Sequence, residues 1–192
     1  MRLHRIVFFI LIVVLVLSGC GENKIKNPLN WSVPDFNYQN QNGEEFGLKD
    51  LEGKVWLADF IFTNCDDVCW PMTANMKKLQ DKAEEEGIEN IQFVSFSVDP
   101  AIDTPEVLIE FADKFQVDYS NWHFLTGYSQ EEIEQFALEN FNEIVVKPES
   151  GDQVVHGTSF YLVDQEGYIM KRYTGLNEIP MEEIIRDIQT LQ

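Results

Sequence analysis

Cysteine and histidine are both scarce in this chain of 192 residues, with three of each. An odd number of cysteines excludes the even disulfide framework that staples small secreted domains. Cys20 ends an apolar segment near the N-terminus, whereas Cys65 and Cys69 lie close together far downstream. Internal repeats and low-complexity tracts are also lacking, so one globular domain is expected rather than a repeat array.

Basic residues are few as well, with 14 Lys and Arg against 33 Asp and Glu and a formal net charge of -19. Such a surface repels a phosphate backbone, which argues against nucleic acid as a partner. The acidity itself names no partner, because a solvated acidic surface or adaptation to a salty or alkaline habitat accounts for it.

The N-terminal apolar run, residues 6–17, is too short to cross a bilayer, which requires about 20 residues. Its length and the preceding Arg2 and Arg5 are typical of a signal peptide. The run ends in Leu17, Ser18, Gly19 and Cys20, which resembles a bacterial lipoprotein signal. An uncleaved anchor with a chance cysteine is the alternative.

Residues 1–20 are therefore predicted to be a lipoprotein signal peptide, with Cys20 retained and lipidated in the mature protein. Two acyl chains on Cys20 suffice for stable anchoring. Residues 21–30 are polar and aperiodic and are predicted to be a tether. We expect a protein held on the outer, extracytoplasmic face of the cell membrane.

Residues 31–192 are predicted to form one α/β domain with a mixed central sheet flanked by helices. Asn42 and Gly43 between apolar pairs predict an N-terminal β-hairpin. Helices are expected to begin near Pro71, at Thr104–Pro105, after Ser129 and at Pro180. Further strands are predicted at 54–62, 91–98, 122–125, 144–146, 154–163 and 169–173.

The position of Cys65 and Cys69, directly after a buried strand and before a helix, matters more than their spacing. Ligands gather at the carboxyl ends of strands in open α/β sheets, and the thioredoxin architecture places its redox cysteines there. Three features differ from an ordinary thioredoxin. The spacing is C-x3-C, Asp66 and Asp67 are expected to disfavour a thiolate, and no proline precedes the late strand.

In a thioredoxin-like fold the loop that holds His156 faces the cysteine loop, so two thiolates and one imidazole can meet. His4 is lost with the leader, and His123 is predicted to be structural. Structural zinc requires four protein ligands, whereas soft thiolates with imidazole suit copper in either redox state. On spacing alone, two alternatives together remain equally probable: a structural disulfide beside a histidine that only makes hydrogen bonds within the protein, or a redox disulfide without metal.

Three segments resemble the signature blocks of the Sco/SenC copper proteins: FTNCDDVCWPMTANM at 62–76, SFSVDP at 95–100 and VVHGTSFYLVD at 154–164. The resemblance implies a thioredoxin-like, membrane-anchored protein that binds copper through Cys65, Cys69 and His156. It also implies a role in assembling the dinuclear copper centre of cytochrome c oxidase subunit II. Asp99 matches an acidic position of the family and is expected to act from outside the ligand set.

One position departs from the family, which usually has proline directly after the second cysteine. Here Trp70 intervenes before Pro71, and it is expected to shield the metal, dock a partner or pack at the helix start. Met72 and Met76 share a helix face with Leu79, which favours core packing over metal ligation.

The leading hypothesis is a copper metallochaperone rather than an enzyme. The alternative is a thiol–disulfide oxidoreductase that reduces the copper-ligand cysteines of the oxidase subunit. A thiol peroxidase is disfavoured because Phe62 stands where a peroxiredoxin has threonine, and only Arg172 and Arg186 are available as a supporting arginine. A redox sensor that responds to copper is a further possibility.

Overall fold

A mixed eight-stranded sheet forms the centre of the computed structural model, which describes residues 25–192. The strands follow the spatial order β1-β8-β7-β4-β5-β6-β2-β3. They are β1 (Trp31–Ser32), β2 (Asn37–Asn40), β3 (Glu45–Gly47), β4 (Val55–Ile61), β5 (Ile91–Ser97), β6 (Trp122–Thr126), β7 (Ser159–Val163) and β8 (Tyr168–Thr174).

In the described part of the chain, three α-helices connect strands and a fourth follows β8. They are α1 (Cys69–Glu85), α2 (Pro105–Ala112), α3 (Gln130–Phe141) and α4 (Met181–Leu191). All four lie where the sequence places helices. Thr104 and Ser129 cap α2 and α3 by accepting hydrogen bonds from Val107 N and Glu132 N.

The parallel strands β4 and β5 carry the core of the domain. Every residue of both strands is buried, because the sheet is covered on both faces at its centre. β4 pairs in parallel with β5 and antiparallel with β7. This arrangement brings the carboxyl end of β4 and the start of β7 to the same end of the sheet, and the predicted mixed sheet with its helices is confirmed.

The segment before β7 differs from the prediction. Strands were expected at 144–146 and 154–163, but only a single bridge joins Val146 to Val155, and the continuous strand begins at Ser159. Val146 and Val155 are exposed, so their apolar character does not bury them against a second sheet face. The residues between them form a loop that leads into β7.

At the other side of the sheet, β2 and β3 pair antiparallel around the Asn42–Gly43 turn. Gly43 has a φ of 76°, which favours glycine. β2 also pairs with β6, so the turn lies at one margin of the sheet.

The beginning of the described chain lies along β8. Leu29 N donates to Met170 O at 3.0 Å, and Ile25 is buried. The part of the predicted tether that is described, residues 25–30, therefore contacts the domain. The predicted signal peptide and Cys20 lie outside the described residues. Among residues 25–192, no helix combines the length and apolar character needed to cross a membrane.

Candidate metal centre

The two cysteines lie at the carboxyl end of β4, where the buried strand delivers the chain into a short loop. Cys69 is the first residue of α1 and is fully buried, and its N–H donates to the Sγ of Cys65 at 3.3 Å. The helix thus begins two residues before Pro71. Proline is tolerated there because the first N–H groups of a helix have no partner within the helix.

His156 reaches the same point from the loop before β7. Its Nε2 lies 3.3 Å from the Sγ of Cys69. Its other ring nitrogen, Nδ1, lies 2.7 Å from the carbonyl oxygen of Gly157. A carbonyl oxygen can only accept, so Nδ1 is protonated, and in the neutral tautomer that this contact selects the lone pair lies on Nε2. The neutral imidazole therefore presents the correct nitrogen to a metal ion.

Hydrogen bonds between the two loops set the position of His156. Gln153 Nε2 donates to Asn64 O at 2.9 Å, and Asp66 N donates to Gln153 Oε1 at 3.2 Å. The Val146–Val155 bridge closes the base of the histidine loop. The loop is thus joined to the cysteine loop on one side and closed on itself at the other.

The donor atoms of Cys65, Cys69 and His156 lie within 4.8 Å of one another. In the described part of the chain, this is the one group of three or more such side chains arranged to hold a metal ion. Two sulfur donors and one imidazole form a soft set that suits copper and leaves a fourth zinc ligand missing. The residues present therefore fit copper, as the sequence predicts.

The two thiols differ strongly in acidity. The pKa of Cys65 is lowered to about 4, first because the Cys69 thiol donates to it, with smaller contributions from His156 and the backbone N–H groups of Asp67 and Cys69. The pKa of Cys69 is raised by the same hydrogen bond and by burial. The first thiolate therefore forms on Cys65.

The expectation that Asp66 and Asp67 disfavour a thiolate is wrong for Cys65. Both side chains are exposed to solvent, which screens their charges. The backbone of the same loop supplies N–H groups that stabilise the anion.

Asp59 is a functional candidate that the sequence analysis missed. It is fully buried in the middle of β4, and both carboxylate oxygens lack a hydrogen-bond partner among the described residues. Burial raises its pKa to about 7, although Ser95 and His156 lower it in part. Its charge also raises the pKa of Cys69. The available signal was a single carboxylate within an otherwise apolar strand.

Asp99 lies at the carboxyl end of β5, where it is buried and pairs with Lys147 Nζ at 2.5 Å. Within residues 25–192, no hydrogen bond joins it to the cysteines or to His156. A second buried carboxylate, Asp103, accepts from Thr63 Oγ1 at 2.6 Å and from Ser97 Oγ at 2.5 Å. Asp103 thus fixes the start of the cysteine loop.

Several other predicted positions are structural. His123 stacks on Phe46 with ring centres 4.0 Å apart, and burial lowers its pKa to about 4. Met72 and Met76 are fully buried, as expected for core residues. Trp70 is 41% exposed and packs on side chains from α2 and the 3₁₀ turn after it: Phe111, Phe115 and, over the ring, Lys114.

Comparison with known proteins agrees with this geometry. A protein-family model described as SCO1/SenC matches residues 27–192. The SCO1 protein homolog of Bacillus subtilis (strain 168) is 50% identical over 179 residues, which cover 93% of this chain and 92% of that protein.

Solved structures show the same likeness. A SCO1/SenC family lipoprotein from Bacillus anthracis is 57% identical, with a TM-score of 0.85 over 88% of this chain and 99% of that one. BsSco, a member of the Sco family of cytochrome c oxidase assembly proteins with a disulfide switch, is 50% identical, with a TM-score of 0.82 over 88% and 98%. The copper-bound ScoI of Arabidopsis thaliana is 27% identical, with a TM-score of 0.70 over 81% and 97%. The predicted thioredoxin-like fold is confirmed.

Proposed function

Because the chain belongs to the SCO1/SenC family, we propose that it is a copper metallochaperone that assists assembly of the dinuclear copper centre in subunit II of cytochrome c oxidase. The observation that carries the proposal is the meeting of Cys65, Cys69 and His156, whose donor atoms lie within 4.8 Å of one another. Copper is the cargo of this site and not a permanent cofactor. The copper-bound relative and the assembly role of BsSco support both parts of the proposal.

Each ligand has a separate task. Cys65 supplies a preformed thiolate, since its pKa is lowered to about 4. Cys69 releases its proton when metal arrives, because a thiol must be ionised to bind. His156 adds a neutral donor, and its Nδ1 contact with Gly157 O keeps the ring oriented. Two thiolates leave a complex of Cu(II) neutral and a complex of Cu(I) with one negative charge, so both states can be held and passed on.

We further propose that Cys20 is lipidated and anchors the domain on the outer face of the cell membrane. The lipoprotein-like sequence before Cys20 and the lipoprotein relative from Bacillus anthracis support this localisation. The Cys20→Ala variant should accumulate as an unprocessed precursor. Mass spectrometry of the membrane fraction tests the point, since a mature N-terminus other than acylated Cys20 would contradict the anchor.

Titration of the reduced protein with Cu(II) tests the metal site, with the thiolate-to-copper absorption as the signal. His156→Ala should lower the affinity for Cu(II) at least roughly 10–100-fold, which is the effect known for substitution of residues that contact the metal ligands but not the metal. It should also shift the absorption band. The matched control is His123→Ala, the same substitution at the histidine that stacks on Phe46. Equal affinity in a folded His156→Ala variant would remove His156 from the site.

A thiol–disulfide oxidoreductase that reduces the ligand cysteines of the oxidase subunit is the second candidate. The observation in its favour is the split between an acidic Cys65 and a protonated Cys69, which is typical of an attacking and a resolving thiol. This function does not require His156 as a ligand. If His156→Ala abolishes copper binding but leaves disulfide reduction and oxidase assembly intact, the reductase is favoured.

A further inference from the structure

The described chain starts at the same end of the sheet as the metal site. β1 pairs with β8 through Trp31 and Ile169, and Leu29 lies beside Met170. The residues before Leu29 therefore continue along β8 towards Thr174. Thr174 is paired with Ser159, the first residue of the strand that follows His156. Only β7 separates β8 from β4, so the carboxyl ends of β8 and β4 lie about 10 Å apart across the sheet.

The length of chain beyond this point limits how far the domain can stand from a membrane. Five peptide bonds separate Cys20 from the buried Ile25, which allows a span of at most about 18 Å. This step rests on the proposed lipidation of Cys20. If Cys20 carries the anchor, the end of the sheet with Ile25 and the metal site is the end nearest the bilayer.

A groove of about 730 Å³ opens at this end, and we call it the basic groove. Lys26, Lys171 and Arg172 line it together with one acidic residue, Glu183, in a chain that has only 12 basic residues after Cys20. Lys171 is paired with Glu183 and Asp187. Lys26 and Arg172, in contrast, have no carboxylate within 4.0 Å among the described residues, and both side chains are exposed.

The charges around the cysteine loop have the opposite sign. Asp66, Asp67 and Asp152 are exposed there, and the Asp152 carboxylate accepts from Asn64 Nδ2 at 3.3 Å. An anionic lipid surface attracts the basic groove and repels this loop. Together the two effects favour an orientation in which β8 faces the membrane and the cysteine loop faces away from it.

We propose that the basic groove rests on the anionic headgroups of the membrane that holds Cys20. The metal site then lies beside the bilayer. The partner that this orientation fits is a protein anchored in the same membrane whose copper-accepting residues stand close to the lipid headgroups.

Residue-resolved acetylation of lysines in the full-length, processed protein tests this orientation. The protein is placed in neutral phosphatidylcholine vesicles and in vesicles with phosphatidylglycerol added, and modification of each lysine is followed by mass spectrometry. Lys26 should react several-fold more slowly in the anionic vesicles, because each Lys or Arg near such a surface contributes roughly a fivefold preference. Lys49 lies before the first residue of β4, at the end of the sheet away from the metal site, and should react at the same rate in both kinds of vesicle.

Two variants with the same change in charge complete the test. Arg172→Glu should remove most of the protection of Lys26, whereas Lys54→Glu at the opposite end of the sheet should leave it unchanged. Equal reactivity of Lys26 in both vesicles, or equal effects of the two variants, overturns the contact with lipid. The mass of the protein in the same sample shows whether Cys20 is acylated. An acylated protein whose Lys26 is not protected contradicts the lipid contact alone, whereas an unacylated Cys20 contradicts both the lipid contact and the proposed anchor.

Discussion

The carboxylate of Glu143 lies directly against the backbone of Gly157, the residue that follows His156. A Cβ atom at position 157 would overlap that carboxylate. Glu143 is itself buried and accepts a hydrogen bond from the Tyr161 hydroxyl at 2.5 Å. An added Cβ atom at 157 would therefore have to displace either this hydrogen-bonded carboxylate or the loop itself, and Glu143 supports the loop that holds His156 from beneath.

Gly157→Ala should push the histidine loop away from the cysteines. We expect the affinity for Cu(II) to fall at least about tenfold, in the range known for disturbed ligand orientation. The double variant Gly157→Ala/Glu143→Ala should recover part of the loss, because the shorter side chain makes room for the new Cβ atom. Titration with Cu(II) measures both, and an unchanged affinity in Gly157→Ala would show that the contact does not position His156.

Lys147→Met should destabilise the protein by about 2–3 kcal/mol, because it leaves the buried carboxylate of Asp99 without its partner. Adding Asp99→Asn should return part of that stability. Lys77→Met is the matched control, since its partner Asp81 is half exposed and such surface pairs contribute about 0–1 kcal/mol. Urea unfolding of the four proteins measures the effect, and equal losses in the two Lys→Met variants would contradict it.

Asp59 should make stability fall as pH rises. Its pKa is raised to about 7 in the folded protein, whereas an unfolded aspartate ionises near 4. Between these values the folded state holds the proton and the unfolded state releases it, so the free energy of unfolding decreases with increasing pH.

The Asp59→Asn variant should therefore be more stable than the parent at pH 8, and the difference should shrink towards pH 4. Asp35→Asn, on an exposed residue, serves as the control for the substitution. Denaturant unfolding across this pH range provides the measurement. A difference between parent and Asp59→Asn that does not change with pH would mean that Asp59 stays ionised in the fold.

The thiol of Cys65 should titrate far below a normal cysteine. Thiolate absorption of the reduced, metal-free protein should show one ionisation near pH 4. Cys69→Ala should raise the pKa of Cys65 more than His156→Ala, because the hydrogen bond from Cys69 is the larger cause. Alkylation at pH 6 should modify Cys65 first, and preferential modification of Cys69 would reverse the assignment.

The sequence predicted most of the site because its elements have strong local signals. The apolar strand around Phe60 and the helix after Pro71 bracket the cysteine pair, and strand pairing then brings His156 to it. The histidine loop was less predictable. Val146 and Val155 have the composition of a strand, yet they are exposed and form one bridge, because β7 pairs with its neighbours only from Ser159 onward.

The environment of the ligands could not be derived from the sequence. Asp59 is one polar residue in an apolar strand, and only its burial without a partner makes its pKa unusual. The contact between Glu143 and Gly157 joins residues from two loops that no local pattern connects. The low pKa of Cys65 depends first on the hydrogen bond from the Cys69 thiol, which the turn into α1 brings beside it, and less on backbone N–H groups of the same turn.

The ligands also lie far apart along the chain, with His156 87 positions after Cys69. To bind a metal ion at both residues, the unfolded chain would have to close this long loop at an entropic cost, so the ion binds the folded protein far more tightly and favours the folded state. Loaded and empty protein should therefore differ in their resistance to proteases, with the empty form digested faster. Copper supply would then set how long each molecule survives, so the abundance of the protein would follow the amount of copper available to it.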